Sequence, residues 1–197
     1  ALLDVKIREY PGDSVAIIGF GTNAELVHPL AVVGTAGASL RNALAGMETA
    51  GSTNMTAALE RVEAILAGRD PGPAISPRGV IDWIGRAGQW LFGDTNNNAA
   101  AAPTIPNTNG KPAVRIVLLS DGAHNVGGKP FKAADRLKAA CVGIDTIGIA
   151  QRDDVDEETL VRVASLNPDG SPRYCFIGDT QDLIKEFKRL AHHIKPA

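Results

Sequence analysis

The chain has 197 residues, a length that suits one domain or two small ones. Its net charge is -2, with 20 Lys and Arg scattered among 22 Asp and Glu, so nothing favours nucleic acid or a membrane surface as a partner. No run approaches the roughly 18 apolar residues of a membrane span, and no signal peptide is visible, which favours a cytoplasmic location. Cys141 and Cys175 lie far apart in apolar surroundings, so we expect buried free thiols.

Apolar runs of strand length alternate with amphipathic helical segments along most of the chain. The predicted helices cover residues 1–10, 39–47, 54–67, 131–141, 156–165 and 180–194. The predicted strands cover residues 15–20, 25–28, 114–119, 144–149 and 173–177, with Pro29 ending the second. Strands that alternate with helices in this way predict an α/β fold, in which helices cover both faces of a mostly parallel sheet.

Residues 68–112 interrupt this alternation with clusters of Pro, Gly and Asn. A connection this long inside a compact domain is typical of a functional insertion or of partial disorder. We expect an amphipathic helix over residues 80–92, in which Trp83 and Trp90 serve packing. A mobile Asn, Ala and Pro tract should follow near residues 95–110.

Two polar loops lie where a strand should end or a helix should begin. Residues 51–54, Gly-Ser-Thr-Asn, precede the third predicted helix, and residues 120–122, Ser-Asp-Gly, follow an apolar strand. Open α/β sheets bind ligands at the carboxyl ends of their strands. Hydroxyl and carboxylate oxygens suit Mg²⁺, Mn²⁺ or Ca²⁺. The two loops therefore predict part of a site for a hard metal ion.

Simpler roles for the same residues stay open. Ser52, Thr53 and Asn54 are residue types that favour helix N-caps. Asp121 before Gly122 is a common turn sequence. Capping and metal binding are compatible at one loop.

Several segments together resemble the von Willebrand factor A domain, the fold also found in integrin inserted domains. The resemblance extends over nearly the whole chain apart from residues 68–112, and its strongest parts are residues 11–20, 51–59, 116–122, 143–149 and 154–160. It implies a single domain over residues 1–197 with a three-layer, doubly wound sheet and one short antiparallel edge strand. It also implies a protein–protein interaction module rather than an enzyme.

The family's metal-ion-dependent adhesion site joins three loops, which carry an Asp-x-Ser-x-Ser motif, a Thr and an Asp. The Thr maps to Thr53 and the Asp to Asp121, whereas the first motif has no counterpart in this sequence. The resemblance thus implies a Mg²⁺, Mn²⁺ or Ca²⁺ site that is weak in this chain alone. It also implies a partner protein whose Asp or Glu completes the coordination. The expected partner-contacting residues are Thr22, Ser52, Asn54, Gly122 and His124.

The family's opening strand lies in the middle of its sheet, because the strand order shared with doubly wound folds is 3-2-1-4-5-6. A sheet without its central strand leaves two rows of buried backbone groups unpaired, which folded proteins rarely tolerate. We therefore expect an N-terminally incomplete piece of a longer product, or a strand supplied by another segment. Direct pairing of the strands over residues 15–20 and 114–119 would contradict both expectations.

Two other functions stay open. Without the first loop, the domain is alternatively a metal-free structural or interaction module. Residues 19–24 read G-x-G-x-x-A after a strand, which is the fingerprint of a nucleotide-dependent enzyme. However, that fingerprint requires a helix at this turn, and residues 25–28 alternate like a strand.

Overall fold

The computed structural model describes residues 2–47, 52–68, 114–120, 124–149 and 155–193. The helix predicted over residues 80–92 and the tract predicted near residues 95–110 lie outside the described residues, as do Asp121 and Gly122. Within the described ranges, no helix has the length and apolar character needed to cross a membrane.

The described residues form helices and strands in the alternation that the sequence predicts. In chain order these are α1 (Leu2–Glu9), β1 (Ser14–Phe20), β2 (Ala24–Val32), α2 (Val33–Ala45), α3 (Met55–Leu66), β3 (Arg115–Ser120), α4 (Phe131–Ala139), β4 (Gly143–Ile149), α5 (Glu157–Val163), β5 (Tyr174–Ile177) and α6 (Thr180–His193).

The described strands form two sheets between two layers of helices. β3, β4 and β5 are parallel neighbours in that order, and β1 pairs antiparallel with β2. Along β3, Ile116 and Leu118 pack with α3, α4 and α5, whereas Val117 and Leu119 pack with α6 on the opposite face. The predicted three-layer α/β fold, with a parallel sheet and an antiparallel edge strand, is confirmed.

Helices, not strand pairing, join the two sheets: within the described residues β1 and β3 do not pair with each other. On one face, Met55 of α3 shares a core cluster with Leu118 of β3, and Phe20 of β1 packs against that cluster. On the other face, α1 places Leu2 in the cluster with β3 and Leu3 in the cluster with β1. The expectation of a further central strand therefore stays a prediction.

The predicted end of β2 is wrong, because the strand continues through Pro29 to Val32. An edge strand tolerates proline, which lacks an N–H to donate to a neighbour. The pairing of β1 with β2 also shifts register on both sides of Ile17, which is paired with His28. A β-bulge therefore lies at the position of the proline.

The predicted start of α2 is wrong as well, because the helix begins at Val33 rather than at residue 39. Val33 and Leu40 are fully buried, so packing stabilises a segment that its glycines would weaken. Gly37 lets α2 approach α1, since a β-carbon there would lie 2.8 Å from Ile7 Cδ1.

The two thiols differ in their surroundings, and the expectation of burial is wrong for Cys141. This residue is exposed just after α4, with φ 57°, the left-handed conformation common at helix ends. Cys175 in β5 is half-buried, and burial, together with the nearby Glu186 carboxylate, raises the pKa of its thiol to about 12.

Because the thiolate is the reactive species, iodoacetamide at pH 8 should modify Cys141 more than about tenfold faster than Cys175. Peptide mass spectrometry after timed quenching measures both rates. Urea-unfolded protein is the control, in which the two cysteines should react alike. Similar rates in the folded protein would contradict the burial of Cys175.

The buried ion pair between Lys6 and Asp13 fixes α1 against the start of β1. Lys6 Nζ donates to Asp13 Oδ2 at 2.5 Å, and the lysine and aspartate side chains are 3% and 15% exposed. The ammonium also lies 4.5 Å from the centre of the Tyr10 ring. A charge this buried depends on its partner for stability.

The substitution Asp13→Asn should lower the free energy of unfolding by about 3 kcal/mol, because it removes the carboxylate charge that lies against the buried Lys6 ammonium. The matched control is Asp4→Asn, which removes an exposed ion pair with Arg41 and should cost less than about 1 kcal/mol. Urea unfolding at pH 7 measures both. Equal losses would contradict the dependence of Lys6 on Asp13.

Candidate functional site

Three loops meet at one end of the domain. Turn 21–23 follows β1, loop 52–54 precedes α3, and loop 124–128 lies between β3 and α4. Hydrogen bonds connect loop 52–54 to both of the others. The carboxyl ends of β1 and β3 therefore point to the same edge, where open α/β folds bind their ligands.

Turn 21–23 is bonded to loop 52–54 through three of the predicted partner-contacting residues. The Asn54 backbone N–H donates to the Gly21 carbonyl at 2.9 Å, and Asn54 Nδ2 donates to the Thr22 carbonyl at 2.9 Å. The hydroxyls of Thr22 and Ser52 lie 2.6 Å apart, within hydrogen-bond distance. The structure thus brings Thr22, Ser52 and Asn54 together.

Loop 124–128 holds Thr53 through Asn125, a residue that the sequence reasoning missed. The Thr53 N–H donates to Asn125 Oδ1 at 2.9 Å, and the Asn125 N–H donates to the Thr53 carbonyl at 3.2 Å. Thr53 itself is only 9% exposed. Both backbone polar groups of the predicted metal ligand are therefore satisfied by one residue of the neighbouring loop.

His124 fastens the same loop to the first turn of α3. Its Nδ1 accepts the Met55 N–H at 3.2 Å, which places the ring proton on Nε2, and Nε2 donates to the Gly128 carbonyl at 2.9 Å. The hydroxyl of Thr56 donates to the same carbonyl. Neither ring nitrogen of the half-buried His124 is left to bind a metal ion.

Of the three residues that favour capping, Asn54 is the N-cap of α3. Its Oδ1 accepts the Ala57 N–H at 3.0 Å, and His124 accepts the Met55 N–H. These amides are thus unavailable to a phosphate group. In addition, the turn after Gly19 leads into strand β2 and not into a helix, so the context of a dinucleotide fingerprint is missing there.

Gly127 allows loop 124–128 to lie against this cap. Its φ is +87°, and a β-carbon there would lie 2.6 Å from Asn54 Oδ1. Both the positive φ and the close approach require glycine. The left-handed region strains other residues, and the Asn54 side chain leaves no space for a β-carbon. The Gly127-Gly128 pair in the sequence was the signal that could have indicated this contact.

The donors at this edge fit a hard metal ion in type but supply little charge. The described part of the chain contains no group of three or more His, Cys, Asp or Glu side chains that could hold a metal. The hydroxyls of Thr53 and Ser52 are neutral oxygen donors of the kind that Mg²⁺ and Ca²⁺ accept. The predicted carboxylate ligand, Asp121, lies outside the described residues.

The substitution Gly127→Ala should lower the free energy of unfolding by about 2 kcal/mol or more, through the left-handed strain and the displaced cap. The matched control is Gly170→Ala. Its φ is +84°, but no atom lies within 4 Å of the added β-carbon, so about 1 kcal/mol of backbone strain is expected. Urea unfolding compares the two; equal losses would contradict the tight contact with Asn54.

Comparison with known proteins gives structural neighbours only, since no protein-family profile and no curated protein sequence matches the chain. Proximal thread matrix protein 1 from the mussel byssus matches with a TM-score of 0.58 and 17% identity over 98% of this chain. The same mussel protein with a zinc-occupied MIDAS motif matches over 98% of this chain, with a TM-score of 0.57 and 17% identity. Manganese-loaded TRAP from Plasmodium vivax matches over 98% of this chain, with a TM-score of 0.53 and 17% identity.

These neighbours establish the fold and no more. The chain spans 39% of the mussel protein in both of these structures and 62% of the TRAP chain. The fold of this chain is that of the von Willebrand factor A domain, so the resemblance inferred from the sequence is confirmed at the level of the fold. The zinc and the manganese belong to the neighbours.

Proposed function

We propose that this chain is a non-catalytic protein-interaction module whose partner binds where turn 21–23, loop 52–54 and loop 124–128 meet. The proposed binding depends on a divalent cation held by Thr53 and Asp121. The observation that carries the proposal is the position of Thr53, which is buried at the carboxyl edge and hydrogen-bonded through both backbone groups to loop 124–128. Metal-bearing neighbours with the same fold support it.

Oxygen donors favour Mg²⁺, Mn²⁺ or Ca²⁺ over metals that prefer nitrogen or sulfur. One carboxylate, that of Asp121, would leave the cation with net positive charge and unfilled coordination positions. A partner's Asp or Glu would complete the coordination, so the cation would serve as a bridge between the two proteins. Thr22, Ser52, Asn54, Gly122 and His124 belong to this proposed contact surface, His124 through its ring edge or carbon atoms.

A metal-free interaction module is the second candidate. The engagement of Thr22, Ser52 and Asn54 in internal hydrogen bonds favours it, because these residues already have partners within the protein. A nucleotide-dependent enzyme has no such support. The helix that its fingerprint requires after Gly19 is replaced by β2.

Mn²⁺ or Mg²⁺ at about ten times the dissociation constant should raise the melting temperature by about 3–5 °C, whereas NAD and NADP should not. Asp121→Ala should abolish the metal effect. The control is Asp169→Ala, which changes a turn in a distant loop and should keep the metal-induced rise in melting temperature. A shift produced by NAD alone would favour the enzyme, and an unchanged metal shift in Asp121→Ala would remove Asp121 from the site.

A further inference from the structure

We draw no further inference here: the strongest candidate, the strand edges of β1 and β3 between α1 and α3 as a docking surface for an added strand, restates the central strand already expected from the sequence, and nothing within the described residues shows what covers those edges.

Discussion

The hydrogen bonds that hold residues 52–54 between two neighbouring loops connect the fold to the site. Among the described residues no strand ladder joins the β1–β2 pair to the β3–β4–β5 sheet. The Asn54 backbone bonds turn 21–23 at the end of one sheet, and the Thr53 backbone bonds Asn125 beyond the end of the other. The segment that precedes α3 therefore aligns the two sheet ends, and the same segment carries the proposed metal ligand.

Burial along the strands fits a sheet that has room for another member. β4 is buried over six of its seven residues, as a strand with neighbours on both sides should be. In β1, which is more apolar than β4, Ile17 is the one buried residue, and β3 has two, Leu118 and Ser120. α1 and α3 pack against both sheets, so the predicted central strand would lie between two helical layers that are already in place.

The sequence correctly predicted the helices and strands that depend on local periodicity. The predictions failed where contacts between residues distant in sequence determine the structure. The apolar period identified α3 and β3 to within one residue at each end, and residue type identified Asn54 among the possible caps. By contrast, α2 begins six residues before its predicted start because Gly37 fits against Ile7 of another helix. Asn125 was missed for the same reason: its partner Thr53 is 72 positions away, and no local pattern indicates that bond.

The most direct test of the account is paramagnetic broadening by Mn²⁺, followed in the amide NMR spectrum of the 197-residue chain. The proposed site predicts that the amide signals of Thr53, Asn54 and Asn125 broaden first, at Mn²⁺ concentrations that leave the signals of α6 unchanged. Uniform broadening across the chain, or selective broadening far from these three loops, would contradict a cation site at this edge of the domain.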